Sequence, residues 1–139
     1  MVAVDQLAAA LTAALVGSRG VASAYLFGSM ATGRAHRESD VDVGVLLDRL
    51  VHPRPADRFE ARLRLAALLQ SATGRDIDLV VLNDAPPQLG RHILTRGARL
   101  LVSNATLDHA HLRTTLSRAA DIDPIDHFLA IVRDIERSA

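Results

Sequence analysis

One segment, residues 26–47, constrains the fold of this chain more than any other part of the sequence. It sets an apolar run against a Gly-Ser turn and then places two aspartates, one residue apart, at a second apolar run. Alternate side chains of a strand share a face, so Asp40 and Asp42 project side by side while Val41 and Val43 point into the core. Aspartate is rare in strands, and its charge is costly to bury. The Asp40–Asp42 pair therefore predicts a ligand-binding site at this end of the strand.

Two carboxylates on one face of a strand repel each other, and each raises the pKa of its neighbour. A divalent cation between them reverses this effect, and hard oxygen ligands favour Mg²⁺ or Mn²⁺ over softer metals. Holding two such ions takes a third carboxylate. Asp78 is the candidate because it begins another apolar strand, expected beside that of Asp40 and Asp42, and Asp76 on the same face is the reserve choice.

The Gly-Ser turn predicts a place for phosphate. Gly28 and Ser29 follow an apolar run and precede a short predicted helix, residues 29–32. Backbone N–H groups at such a turn, together with the Ser29 hydroxyl, can receive phosphate oxygens, and Gly28 lets the backbone approach closely. Combined with the carboxylates, the turn predicts a site for a metal-bound nucleoside triphosphate.

Composition narrows the class of protein. The 139 residues suit one domain, and 49% hydrophobic but only 3% aromatic residues predict a core of Ala, Val, Leu and Ile, typical of helices packed on a sheet. Equal numbers of basic and acidic residues, 16 each, leave no broad basic field, and the scarcity of aromatics argues against stacking platforms, so we expect no direct nucleic-acid binding. The absence of cysteine excludes disulfides and thiolate metal sites.

Hydrophobic periodicity and turn residues predict the order of the elements. An N-terminal helix ends at Gly17, and a second helix, opened by Asp57 and Glu60, ends at Gly74. That second helix is predicted to place the following side chains on its buried face: Phe59, Leu63, Ala66 and Leu69. Strands are predicted at 21–27, 41–47, 76–82 and 99–103.

The later helices are predicted from caps and prolines. Asn83 and Asp84 are expected to cap a helix that runs to Arg96, and two further helices are expected at 106–119 and from Asp123-Pro124 onward. The fold class is therefore α/β of the α+β kind, with a small mixed sheet flanked by helices. We expect a single domain over residues 1–139, with its core at about 21–104 and a helical extension at about 105–139.

No basic n-region with a long apolar stretch opens the sequence, and no uninterrupted apolar stretch is long enough to cross a bilayer. We therefore expect a cytoplasmic protein with no membrane partner.

The turn and the aspartates also match a family signature. Gly28-Ser29, Ala31 and Gly33, followed by Ser39-Asp40-Val41-Asp42, resemble the GSxAxG…SDxD signature of the DNA polymerase β-like nucleotidyltransferase superfamily. Within it, the sequence is similar to the minimal nucleotidyltransferases that act as antitoxins in HEPN/MNT toxin–antitoxin pairs. The resemblance continues through residues 76–104.

This resemblance implies a reaction and roles for individual residues. Asp40 and Asp42 would ligate both of two Mg²⁺ ions, and Asp78 would bind the second ion and help to remove the proton of the attacking hydroxyl. Gly28 and Ser29 would cradle the β and γ phosphates of ATP, and the resemblance adds Ser39 to the nucleotide-binding residues. Attack on the α-phosphorus would expel pyrophosphate.

The acceptor implied by the resemblance is a tyrosine of a cognate HEPN ribonuclease toxin, which AMP transfer would silence within a hetero-oligomer. Two alternatives stay open. One is nucleotidyl transfer to a small molecule such as an aminoglycoside, and the other is a noncatalytic antitoxin that masks its toxin by binding.

Other polar residues leave two interpretations each. Arg34, His36 and Arg37 could steer a triphosphate or belong to a solvated loop. His109 and His111 are two apart on a predicted helix and so point to different sides, which argues against a metal pair. Four arginines could form a partner-binding face or be merely solvated: Arg75, Arg91, Arg96 and Arg99.

Overall fold

The protein is described here by a computed structural model, which covers residues 2–28, 31 and 40–138. Its helices are α1 (Val2–Val16), α2 (Pro55–Thr73), α3 (Pro87–Arg96) and α4 (Ala105–Ser138). Its strands are β1 (Val21–Phe27), β2 (Val41–Leu47), β3 (Ile77–Val81) and β4 (Ala98–Val102). A 3₁₀ turn, Leu82–Asp84, joins β3 to the segment before α3. None of the helices in these ranges is both long enough and apolar enough to span a membrane.

The four strands form one mixed sheet in the order β3-β2-β1-β4. β1 is antiparallel to both of its neighbours, whereas β2 and β3 are parallel. The two central strands are almost entirely buried, which explains why their sequences read as continuous apolar runs. The predicted fold class is confirmed.

Helices cover both faces of this sheet. One face packs against α1 and α2, whose buried residues include Leu11 and Leu69, and the other packs against Ile93 of α3 and Leu107 of α4. Asp42 lies on the second face, because its neighbours Val41 and Val43 belong to the first.

The predicted buried face of α2 is confirmed at Leu69, which is buried, and at Ala66, which packs against the core, but it is wrong at Phe59 and Leu63. Phe59 and Leu63 are 55% and 57% exposed, and the residues that the helix buries are Arg58, Ala61, Leu65 and Leu69. The helix carries apolar side chains on several sides, so periodicity alone allows more than one rotation. Tertiary contacts decide between them.

The contacts that set the rotation of α2 are those of its buried arginine. The Arg58 guanidinium donates two hydrogen bonds of 2.9 Å to the carboxylate of Asp84 and further bonds to the carbonyl oxygens of His52 and Pro53. A buried guanidinium needs such partners, and they lie on one side of the helix only. Arg58 therefore turns Phe59 toward solvent.

The predicted cap of α3 is also wrong. The Asn83 side chain instead pairs with the backbone of Leu47 at the end of β2, accepting its N–H and donating to its carbonyl oxygen at 2.8 Å each. α3 begins after Pro86 with no side-chain cap, and Pro87 at its first position has no N–H to satisfy.

The predicted division of the C-terminal segment into two helices is wrong as well. The backbone is helical from Ala105 to Ser138 without interruption at Pro124. Proline keeps a helical φ and removes a single hydrogen bond, so it does not by itself end a helix.

A buried polar cluster ties α4 to the sheet. The hydroxyl of Tyr25, which is 2% exposed, donates to Asp108 Oδ1 at 2.6 Å. Arg99 of β4 lies 3.5 Å from Asp108 Oδ2 and 5.9 Å from the centre of the Tyr25 ring. Burial and the hydrogen bond to Asp108 raise the pKa of Tyr25 above its usual value of 10.0.

Tyr25→Phe is expected to lower the free energy of unfolding by about 1.5–3 kcal/mol at pH 7, because it leaves the buried Asp108 carboxylate without its hydroxyl donor. Chemical denaturation measures this loss. Ser23→Ala is the matched control, since its buried hydroxyl has no hydrogen-bond partner in the described part of the chain, and we expect little change. An equal loss in both variants would contradict the assigned role of the Tyr25–Asp108 bond.

The same variant tests the pH dependence of stability. As the pH rises, the unfolded chain releases the Tyr25 proton first, so stability falls above about pH 10. The sequence has no lysine or cysteine, and Tyr25 is its single tyrosine, so no other type of side chain titrates between about pH 9 and 12. Tyr25→Phe should therefore abolish the decline in this range.

Candidate active site

The parallel pairing of β2 and β3 brings two of the predicted carboxylates together. Asp42 and Asp78 are direct partners in the register of the two strands, so their side chains project from the same face. Asp78 is exposed and Asp42 is partly buried, while Asp40 is exposed and immediately precedes β2. The sequence identified each aspartate, but only the register of the sheet sets Asp42 beside Asp78.

The electrostatics of this pair are unfavourable in the absence of a cation. Burial raises the pKa of Asp42 above its usual value, and the negative charges of Asp78 and Asp40 raise it further. Carboxylate oxygens that repel each other at an exposed edge are ligands suited to a hard divalent ion. In residues 2–28, 31 and 40–138, however, no three acidic or histidine side chains converge into a complete metal site. The structure thus pairs Asp42 with Asp78 and places Asp40 within electrostatic range.

Gly28 lies against this pair at the end of β1. Its neighbour Phe27 is the register partner of Asp42, and Gly28 itself has a φ of +72°, in the left-handed region. A methyl group on Gly28 would overlap with Oδ2 of Asp42. Sequence reasoning singled out Gly28 for its backbone alone, whereas the structure shows that its missing side chain makes room for a carboxylate.

The reserve candidate, Asp76, has a different environment. Its carboxylate accepts a hydrogen bond of 3.3 Å from Gln70 of α2, and its carbonyl oxygen accepts the N–H of Val41 at 3.0 Å. The register partner of Asp42 on β3 is Asp78, whereas Asp76 precedes that strand. The structure therefore favours Asp78 over Asp76 as the partner of Asp42.

Several predicted residues lie outside the described ranges, including Ser29, Ser39 and the loop candidates Arg34, His36 and Arg37. Their assignments remain predictions from the sequence. Of the other arginines, Arg99 contacts Tyr25 and Asp108, although its side chain is 57% exposed.

A groove beside Asp78 was not predicted. It has a volume of about 740 Å³, and Asp78, the exposed Phe59 and the partly exposed Leu89 are among its lining residues. β3 is the edge strand of the sheet, and Arg62 Nε bonds the Leu79 carbonyl oxygen at 3.0 Å on this side. The only sequence signal for the groove was Phe59, which periodicity assigned to the core.

Comparisons with known proteins agree with this architecture. The family model for polymerase beta nucleotidyltransferases matches residues 10–106. The protein adenylyltransferase MntA of Shewanella oneidensis is 41% identical over 78 residues, which are 55% of this chain and 50% of MntA. The aligned segment thus spans about half the length of this relative.

Two crystal structures extend the likeness to nearly the whole chain. A toxin–antitoxin structure with AMP-PNP matches with a TM-score of 0.67 and 28% identity, covering 92% of this chain and 97% of the other. A structure of the MntA–HepT toxin–antitoxin matches with a TM-score of 0.62 and 25% identity, covering 94% and 97%. The resemblance inferred from the Gly-Ser turn and the Asp-x-Asp pair is confirmed: this chain belongs to the polymerase beta nucleotidyltransferase family.

Proposed function

We propose that this protein is an antitoxin that transfers AMP from Mg-ATP to a tyrosine of a cognate HEPN ribonuclease toxin. The observation that carries the proposal is the pairing of Asp42 with Asp78 against Gly28. The 41% identity to a protein adenylyltransferase and the likeness to a toxin–antitoxin structure with AMP-PNP support it.

In this proposal the carboxylates of Asp42, Asp78 and Asp40 hold two Mg²⁺ or Mn²⁺ ions. When bound, the ions would neutralise charge on the triphosphate and on the attacking oxygen. In the same proposal the nucleotide is bound by Gly28, Ser29 and Ser39. Because Gly28 has no side chain, there is room for the Asp42 carboxylate beside it.

The reaction is a substitution at the α-phosphorus of ATP. Asp78, the exposed member of the pair, accepts the proton of the tyrosine hydroxyl while the tyrosine oxygen forms its bond to the α-phosphorus. The bond from the α-phosphorus to the bridging oxygen breaks, and pyrophosphate leaves with that oxygen. The product is an AMP ester of the tyrosine.

The groove beside Asp78 offers a route for the acceptor. Asp78 of the carboxylate pair lines it, and the 55% exposure of Phe59 leaves a large apolar surface without a partner in the described chain. A tyrosine-bearing segment of the toxin could pack against Phe59 while its hydroxyl approaches Asp78.

Incubation of the purified protein with its cognate toxin and Mg-ATP tests the function. Intact-mass spectrometry should show the toxin heavier by one or more AMP groups, with parallel loss of ribonuclease activity, and chelation of Mg²⁺ should prevent both. Silencing of the toxin at equimolar antitoxin, without any change in mass, would contradict AMP transfer and favour masking by binding.

Phe59→Ser tests the groove. We expect kcat/KM for toxin modification to fall about tenfold, equivalent to about 1.4 kcal/mol of lost binding in the transition state. Leu68→Ser is the matched control, because Leu68 is a 40% exposed leucine of the same helix that does not line the groove. Equal kcat/KM in the two variants would place the toxin elsewhere.

A further inference from the structure

A second cavity, which we call the α4 cavity, lies at the far end of β2. It has a volume of about 420 Å³ and is lined by Leu46, the turn after β2, the 3₁₀ turn and one side of α4. Asp42 is five residues from the end of β2, which corresponds to about 17 Å along a strand. The α4 cavity is therefore separate from the candidate active site.

The walls of this cavity are partly apolar. Leu46 and Leu82 are buried core residues that form its floor, and Leu107 of α4 forms a side. Leu50, which is 93% exposed, lies at its edge. A volume in this range and a mixed lining are typical of sites for small molecules.

One buried polar atom in the cavity lacks a partner. Within the part of the chain that the structure describes, His111 Nε2 is shielded from solvent and has no hydrogen bond. Such atoms are rare in folded proteins because leaving them unsatisfied costs about 1–3 kcal/mol. Since Nε2 is shielded, an anion in the cavity would act on this imidazole through its charge rather than through a hydrogen bond to Nε2.

Two arginines line the same cavity. Arg49 and Arg118 line the cavity together with His111. Burial is the largest cause that lowers the pKa of His111, and the positive charges of Arg49 and Arg118 lower it further. Asp108 acts in the opposite direction, but its carboxylate is bonded to Tyr25. Asp48 also lines the cavity, where it accepts the N–H of Leu50 at 2.9 Å.

Neither cavity arginine forms an ion pair with any carboxylate in residues 2–28, 40–121 or 135. Two guanidinium groups beside a neutral imidazole attract anions, and guanidinium geometry suits phosphate and carboxylate groups. The lining thus combines an anion-binding edge with an apolar floor.

We propose that the α4 cavity binds a small organic anion, whose phosphate or carboxylate group lies between Arg49 and Arg118 and beside the imidazole of His111. The apolar part of the molecule packs on Leu46, Leu82 and Leu107. The site is independent of the proposed AMP transfer, because it shares no residue with the carboxylate pair.

Phenyl phosphate is the probe, titrated into the full-length protein by calorimetry and by NMR of the histidine ring. We expect saturable binding with a Kd of about 1 mM or tighter and an upward shift of the His111 pKa in the bound state. Benzoate distinguishes a carboxylate from a phosphate as the preferred group, and binding of either probe supports the site. Inorganic phosphate should bind at least fivefold more weakly, since it lacks an apolar part.

Variants decide where the probe binds. Arg118→Gln and Arg49→Gln should each weaken phenyl phosphate binding at least fivefold. Arg113→Gln, an exposed arginine of α4 outside the cavity, should leave it unchanged. Denaturation curves establish that each variant folds.

Each of these results would overturn the proposal: no saturation by phenyl phosphate or benzoate at 10 mM, about ten times the expected Kd; equal weakening by Arg113→Gln and Arg118→Gln; or loss of binding in Asp42→Asn. The last result would assign the probe to the phosphate site of the family. Inorganic phosphate binding as tightly as phenyl phosphate would also contradict the apolar floor.

Discussion

We expect Asp42→Asn to lower the rate of AMP transfer by about 10³-fold or more while leaving the protein as stable as before or more stable. The loss in rate corresponds to about 4 kcal/mol, of the size expected when a carboxylate ligand of catalytic metal ions is removed. Stability is retained or increased because the neutral amide removes a partly buried negative charge and, with it, the repulsion between residue 42 and Asp78. Like charges directly opposite in a sheet destabilise it, so the gain is up to about 1 kcal/mol.

Rate and stability are measured separately for this variant. Toxin modification is followed by mass spectrometry, and unfolding by chemical denaturation without metal. Mg²⁺ with ATP should raise the melting temperature of the wild-type protein and have a smaller effect on Asp42→Asn, since a ligand stabilises the state that binds it.

Asp76→Asn is the matched control for this prediction. This variant removes the same charge next to β3, but at a residue that is hydrogen-bonded to Gln70 rather than paired with Asp42. The rate of AMP transfer should stay within about threefold of the wild-type rate, a change of less than about 0.7 kcal/mol in the activation free energy. Asp78→Asn should behave like Asp42→Asn. A large loss of rate in Asp76→Asn with little loss in Asp78→Asn would refute the assignment of the third carboxylate.

Gly28→Ala is expected to reduce AMP transfer about 100-fold, equivalent to about 2.7 kcal/mol, and to destabilise the fold by about 1–2 kcal/mol. The added methyl group overlaps with Oδ2 of Asp42, so the carboxylate must move. The φ of +72° adds backbone strain for any residue with a side chain.

Gly74→Ala separates these two effects. Gly74 ends α2 with a φ of +67°, and a methyl group there would meet no atom within 4 Å. It should show the same strain in denaturation curves but normal AMP transfer. If Gly74→Ala lowers the rate as much as Gly28→Ala, displacement of Asp42 is not the cause.

Much of the sheet was predictable because its central strands are buried on both faces. Continuous apolar runs end at turn residues, so β1 and β2 were assigned with their observed bounds. Helix rotation was not predictable in this way. α2 has apolar side chains on more than one side, so the sequence alone allows several rotations. The hydrogen bonds from the buried Arg58 to Asp84 determine which side faces the sheet.

The sequence alone determined which residues the proposed chemistry depends on, since Gly28, Asp40, Asp42 and Asp78 stand in a pattern that local physics and the family signature both predict to bind nucleotide and metal. Tertiary structure alone decided their arrangement: the parallel register that sets Asp42 against Asp78, the exposure of Phe59 beside them, and the cavity around His111. The physical reason is the separation along the chain over which each kind of interaction acts. Strand alternation and turn chemistry act between neighbours in sequence, whereas register, helix rotation and cavity lining depend on contacts between residues that are distant along the chain.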